Sequence, residues 1–204
     1  MGITPQQFSQ IQNRLAQPKR APGPAFDSSP PAQTQSVINQ IVLGIDPSLR
    51  GTGYGVIQAG KPRSTSLAFG TIKCPSAWER SRCLVRIAQT LRDVLREHHP
   101  TMCAIEGLFF AQNLQTALIM GEARGAILAT VAEAGLQIFE VAPRKMKLAI
   151  VGYGAAQKHA VAKMVQRMLH LADVPDPDAA DALALALTFI QEQNRFSLSG
   201  PRKV

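Results

Sequence analysis

Apolar residues along this chain fall into runs whose period switches between two and about 3.6, and each switch marks an element. Gln40 to Ile45, Q-I-V-L-G-I, is a short apolar run that reads as a buried strand, ending at Asp46-Pro47 where the chain must turn. Gly51, Gly53 and Gly55 permit a tight return into a second strand at Tyr54-Gly55-Val56-Ile57, and a third is expected around Leu67 to Ile72. From Trp78 to His98, Cys83, Leu84, Ile87, Leu91, Val94 and Leu95 recur at helical spacing, with Arg80, Arg82, Arg86, Arg92 and Arg96 mostly on other faces. Pro100 closes that helix. Met102 to Ile105 is a fourth strand ending in Glu106, Asn113 to Ala134 a long helix rich in Ala, Leu and Ile, and Leu136 to Val141 a fifth strand. Pro143 suits the first turn of a short helix, and Gln157 to Leu171 and Asp178 to Gln193 follow as two more.

Three strands in a meander followed by alternating helices and strands predict an α/β fold, a five-stranded mixed sheet with helices on both faces. That is the ribonuclease H-like order, which hosts nucleases, transposases, kinases and chaperones, so function must be argued from the site.

Composition bounds the rest. A chain of 204 residues fits one domain plus an appendage, because a single core of about 150 residues already buries most of its surface. The expected division is a Pro- and Gln-rich disordered arm over 1–37, a domain over 38–194 and a flexible tail over 195–204. No apolar run reaches the roughly 18 residues of a membrane span, and no signal-peptide core follows the start, so a soluble, cytoplasmic protein is expected. Scarce acidic residues in the arm would suit a transit peptide, although no amphipathic helix is evident there. The formal charge of +8 suits a polyanionic partner without demanding one. Cys74, Cys83 and Cys103 are odd in number and lack C-x-x-C spacing, so they read as reduced packing residues.

The chemistry lies in the acids. Asp46 and Glu106 each sit one residue past an apolar strand running the same way, where ligands gather in open α/β sheets. Taken singly, either could be a mere turn former. Asp178 and Asp181 share one face of a helix whose Leu183, Ala184, Leu185 and Leu187 must pack inward. Capping explains Asp176 well but Asp181 poorly, because the helix dipole fades beyond the first turn and an acid beside leucines costs desolvation. A divalent cation resolves that conflict, since Mg²⁺ or Mn²⁺ takes several hard oxygen ligands and offsets carboxylate repulsion. Two such ions about 3.5–4 Å apart would activate a water and steady the leaving oxygen of a phosphodiester.

The stretches G-I-D-P (44–47), T-G-Y-G-V-I (52–57), A-I-E (104–106), A-R-G (123–125), V-G-Y-G-A-A-Q-K (151–158) and D-A-A-D-A-L-A-L-A (178–186) resemble RuvC Holliday junction resolvases in order and spacing over roughly residues 40 to 190. The resemblance implies that Asp46, Glu106, Asp178 and Asp181 are the catalytic, metal-binding acids, served by Mg²⁺ with Mn²⁺ as a substitute, two ions per site. It further implies a homodimer that nicks two opposed strands of a four-way DNA junction during recombination and repair, with a branch-migration helicase complex as a candidate partner. Small residues four apart in Gly121-Glu122-Ala123-Arg124-Gly125 allow close helix approach, which without the family reads as packing within one chain. Phe109 matches the family's base-stacking aromatic, with Phe110 as its rival; both would otherwise be core. Lys147 and Lys158 fall on two family lysines near the scissile phosphate, and with Arg144 and Lys145 they make a basic stretch facing the site, unless this is simply a solvated helix face.

Ser48-Leu49-Arg50 stands where the family usually has Gly-Ser-Arg, and Gly107-Leu108 where Gln-Val is familiar, so the two loops beside the site are expected to differ. Two rivals remain. One is an actin-like phosphotransferase, whose phosphate-binding turn G-I-D-P with T-G-Y-G resembles, but which needs a second domain and a second glycine-rich hairpin. The other is a junction-binding scaffold that has lost catalysis, against which all four acids argue.

Overall fold

The structure is a computed structural model that describes residues 40–107, 114–193 and 202–204. The expected arm over 1–37, both Phe109 and Phe110, and most of the expected tail lie outside the described residues. The strands are β1 (Ile41–Asp46), β2 (Gly51–Gln58), β3 (Thr65–Lys73), β4 (Met102–Glu106), β5 (Gln137–Val141) and β6 (Arg202–Lys203). The helices are α1 (Arg80–His98), α2 (Leu114–Glu133), α3 (Pro143–Val151), α4 (Lys158–Leu169) and α5 (Pro177–Gln193).

The sheet order is β3-β2-β1-β4-β5-β6, with β1 parallel to β4, β4 parallel to β5, and the other neighbours antiparallel. Among the described residues six strands stand where the sequence predicts five. The sixth comes from the expected tail, where Lys203 pairs with Phe139 and Arg202 with Glu140. A two-residue strand of charged residues carries no alternation, so periodicity could not reveal it.

Alternation along the strands divides the core in two. Val42 of β1, Ile57 of β2 and Ala104 of β4 face a cluster formed with α3, α4 and α5. Leu43, Ile45, Val56, Cys103 and Ile105 face the opposite cluster with α1 and α2. Asp46 follows Val42 and Gly44 in the first register, and Glu106 follows Ala104, so both acids point to the α5 side. All three cysteines are free and buried, and burial pushes the Cys103 thiol up to about 12, which leaves it inert as the sequence implies.

α5 is buried continuously from Ala179 to Ile190, as befits a helix that is apolar all round. It lies against glycines. A Cβ on Gly44 would stand 1.9 Å from the carbonyl oxygen of Ala182, one on Gly53 1.9 Å from that of Asp178, and one on Gly55 2.7 Å from Leu183 Cδ2. Gly51, Gly53 and Gly55 are expected from sequence to permit a tight return into a strand that begins at Tyr54; the strand instead begins at Gly51, all three glycines lie within β2, and none has a positive φ. What they provide is closeness, letting helix backbone approach strand backbone where any side chain would intervene.

Gly44→Ala is therefore expected to destabilise the chain by at least the 1–3 kcal/mol typical of overpacking, about 2–4 °C of melting temperature per kcal/mol, because the obstructing atom belongs to backbone. Thermal melts of the variant and wild type check this; an unchanged melting temperature would contradict the packing described.

Candidate active site

Three elements bring the acids together. Asp46 ends β1 and Glu106 ends β4, and the parallel register that pairs Ile45 with Ile105 sets these next residues side by side. Pro177 opens α5, whose first turn carries Asp178, and Asp181 follows one turn on. Seated on the glycines, the helix lays the Asp178 Oδ2 atom only 2.9 Å from where a Cβ of Gly51 would be. Asp176, the expected cap, supplies its carbonyl to the Ala180 N–H at 2.8 Å while its side chain pairs with Lys73 at 3.1 Å on the surface.

Burial makes the cluster electrostatically strained. Asp46 is 9% and Asp181 7% exposed. Burial, then the adjacent Glu106 charge, its hydrogen bond and Asp181, push the Asp46 carboxyl up to about 8. Burial also raises Glu106, with Asp181 adding to the rise, while the hydrogen bond from Asp46 opposes it. The pair thus holds a proton, with Asp46 donating and Glu106 accepting. Asp181 is raised by burial too, against the pull of Lys158 and Lys147.

Lys158, the first residue of α4, sets its Nζ 3.4 Å from Asp178 Oδ1 and 3.4 Å from Asp181 Oδ2. Partial burial works against its charge, but Asp181, Asp178 and Asp46 together hold its pKa above the ordinary lysine value. Lys147 also lies close enough to lower Glu106 and Asp181. Two of the four basic residues singled out by sequence therefore face the acids. Arg144 lines an adjoining groove with Lys147. Lys145 does not face the site: it pairs with Glu192 at 2.7 Å, near the far end of α5, because two positions along α3 turn it some 200° from Lys147.

One residue, quoted in the A-R-G stretch at 123–125, has a role that the sequence does not assign. Arg124 of α2 is 5% exposed, donates to the Glu106 carbonyl oxygen and forms an ion pair with Glu140 of β5. It ties helix, the acid-bearing end of β4 and neighbouring strand together. The available signal was its place on the apolar stripe with Ile127 and Val131, where an arginine must find partners inside.

The two unusual loops are both anchored. Leu49 is buried under α1, and the Thr52 hydroxyl donates to the Ser48 carbonyl and accepts from the Ser48 N–H at 3.3 Å. The Arg50 guanidinium donates to the Trp78 carbonyl at 3.0 Å. Gly107 donates its N–H to the Val141 carbonyl at 3.0 Å, joining the end of β4 to the end of β5, two residues before α3 begins.

Whether these residues suit a divalent cation can be judged from their present partners. Among the described residues no three or more His, Cys, Asp or Glu side chains converge closely enough to hold an ion as they stand. The acids form instead a proton-sharing pair, Asp46 with Glu106, and a lysine-bridged pair, Asp178 with Asp181. Even so, Asp181 Oδ1 is buried without a hydrogen-bond partner among the described residues, and burial raises the pKa of three of the carboxyls. An all-oxygen donor set with an orphaned carboxylate oxygen and a single bridging ammonium is chemically suited to a hard cation.

Comparisons with known proteins give the family. The sequence profile described as "Crossover junction endodeoxyribonuclease RuvC" matches residues 42–189. A protein of that name from Akkermansia muciniphila is 43% identical over 149 residues, covering 73% of this chain and 89% of its own length. Another from Bordetella parapertussis is 45% identical over 146 residues, 72% of this chain and 80% of its own. A solved Thermus thermophilus RuvC, in complex with Holliday junction substrate, superposes with a TM-score of 0.72 at 33% identity over 80% of this chain and 99% of that one. The yeast mitochondrial Holliday junction resolvase Ydc2, at a TM-score of 0.56 and 12% identity, shares the fold. Strand-end acids, acid-bearing buried helix and these matches together show that the chain belongs to the RuvC family of crossover junction endodeoxyribonucleases.

Proposed function

We propose that this protein is a metal-dependent endonuclease that resolves four-way DNA junctions by paired symmetric nicks during recombination and repair. The observation that carries the reading is that carboxylates from β1, β4 and α5, paired as Asp46 with Glu106 and Asp178 with Asp181, act on one another's charge beside Lys147 and Lys158. Asp46, Glu106, Asp178 and Asp181 would hold Mg²⁺, or Mn²⁺ in its place, two ions per site. Bound there, such ions would supply an activated water and charge stabilisation at the leaving oxygen of a phosphodiester.

The chain's own residues perform the rest. Lys158 sits between the acids and a solvent-facing opening, 58% exposed at its side chain, where its ammonium can turn from carboxylate to an incoming phosphate. Lys147 adds a second charge on the same side. Arg124, through the Glu106 carbonyl, fixes the strand end on which Glu106 is carried. Phe109, in the segment between β4 and α2, is proposed to stack on an unpaired base at the crossover.

Two opposed cuts need two sites related by symmetry. On α2, Leu114 and Leu118 are 76% and 60% exposed, and among the described residues nothing lies within 4 Å of where a Cβ of Gly121 or Gly125 would stand. These four positions form one stripe that no described residue packs against at its glycines; the reading is a homodimer joined across α2. A solution mass of one 22.0 kDa chain would contradict it. No helix among the described residues is long and apolar enough to cross a membrane, and the proposed location is the cytoplasm, in reach of a branch-migration helicase complex.

Cleavage of a labelled four-way junction beside matched linear duplex, in Mg²⁺, in Mn²⁺ and in chelator, tests the activity. Symmetric nicks confined to the junction and lost in chelator are expected; binding without cleavage would point to a scaffold, and indiscriminate duplex cutting to a different nuclease. Asp46→Asn and Asp181→Asn should each lower cleavage by several orders of magnitude while leaving junction affinity largely intact, since they remove ligands rather than DNA-contacting cations. Full activity in either variant would remove it from the site.

Stability without metal gives an independent check. The native chain keeps on Asp46 a proton that the unfolded chain begins to release near its ordinary value of 3.8, so this stabilisation is present below about pH 4 and is lost as pH rises to about 8. In chelator, the melting temperature should fall across that interval. Asp46→Asn should flatten the fall and melt above wild type at pH 8; a variant that melts below wild type there would contradict the strain assigned to Asp46.

A further inference from the structure

Beside the carboxylates lies an open groove of about 770 Å³ that the proposed ligands do not explain, bordered by Pro143, Arg144, Lys147, Leu148, Tyr153 and Gly154. Its position follows from two contacts. Lys147 acts on Glu106 and Asp181, and the Gly107 N–H bonded at 3.0 Å to Val141, the last residue of β5, holds the end of β4 beside the strand end from which α3 starts two residues later.

The groove has a built shape. Gly152 ends α3 in the left-handed region at φ 81, its N–H donating to the Leu148 carbonyl at 2.9 Å. The next residue, Tyr153, is held by a turn in which the Ala156 N–H donates to its carbonyl at 3.1 Å. A Cβ on Gly154 would lie 2.8 Å from Arg144 Cγ and 3.3 Å from its Nε, so only glycine there lets the arginine lie along the groove. Tyr153 is 65% and Leu148 58% exposed, which places a ring and an aliphatic side chain in solvent next to a polar site. Neither Arg144 nor Lys147 has an ion-pair partner among the described residues. Flat apolar surface alternating with unpaired positive charge is the chemistry that recognises a nucleic acid strand, which offers bases and phosphates in turn.

Resting on the resolvase reading above, we propose that this groove is a subsite for a nucleotide of the cleaved strand flanking the scissile phosphate, with Tyr153 stacked on its base and Arg144 and Lys147 on its phosphates. Stacking tolerates every base, so Tyr153 fixes where along the strand the phosphodiester comes to rest against the acids.

Fluorescence anisotropy of the full chain with a labelled four-way junction in chelator reads the subsite without cleavage. Tyr153→Ala is expected to weaken binding about tenfold without changing its salt dependence, and Tyr153→Phe to bind nearly as wild type. Arg144→Ala should lower the salt slope by about one. When single abasic nucleotides are walked along the strand, one position should weaken wild-type binding by itself and leave Tyr153→Ala no further loss to add. This walk needs no variant to locate the position. Wild-type affinity in Tyr153→Ala, or losses that add at every abasic position, would overturn the subsite. The expected pattern without cleavage in Mg²⁺ or Mn²⁺ keeps the subsite and overturns the resolvase reading; normal cleavage with an indifferent Tyr153→Ala does the reverse.

Discussion

The seating of α5 on the glycines of β1 and β2 is the contact on which the other features depend. Helices ordinarily rest on sheets through interlocking side chains, and here Gly44, Gly53 and Gly55 remove the strand's half of that layer. The helix backbone descends until the Ala182 and Asp178 carbonyls meet the strands. Two results follow from one approach: Ala179 to Ile190 become the centre of the core, and the first turn of the helix arrives beside the ends of β1 and β4. Were α5 held a side chain's thickness further out, Asp178 and Asp181 would not share a charge environment with Asp46 and Glu106.

That arrangement carries an electrostatic cost which the fold does not remove. Burial disfavours the ionised form of three of the acids, and the protein answers with a shared proton on one side and the Lys158 ammonium on the other. Asp181 Oδ1 still goes without a partner. Purely structural carboxylates would have little reason to be left in this condition, because hydrophobic replacements would pack the same space at lower cost. A site that binds cations and moves negatively charged DNA has reason to keep it: the strain favours the states in which positive charge is delivered.

Much of this was legible in the chain. Asp46 and Glu106 were found because each follows an apolar run in the same phase, and Asp178 and Asp181 because three-residue spacing beside leucines puts carboxylates against a core. The misreadings share a physical origin, since local pattern does not reveal what lies across from a residue. The β2 glycines look like turn formers until the helix opposite them is placed, and Lys145 counts as part of a basic stretch until α3 turns it towards Glu192. Arg124 carries no role in the A-R-G stretch because an arginine on a helix is normally solvated, and the partners that make its burial tolerable, the Glu106 carbonyl and Glu140, are distant in sequence. The glycines of α2 read as internal packing in sequence, yet among the described residues nothing lies within 4 Å of a Cβ placed on either.

The most direct test of the account is to grow crystals of the full chain with Mn²⁺ and collect data at a wavelength that makes the metal scatter anomalously. The account predicts anomalous density bounded by Asp46, Glu106, Asp178 and Asp181, with the Lys158 ammonium displaced from Asp178 and Asp181. Density elsewhere, or none while Lys158 still bridges the two aspartates, would contradict the assignment of these acids as a metal site.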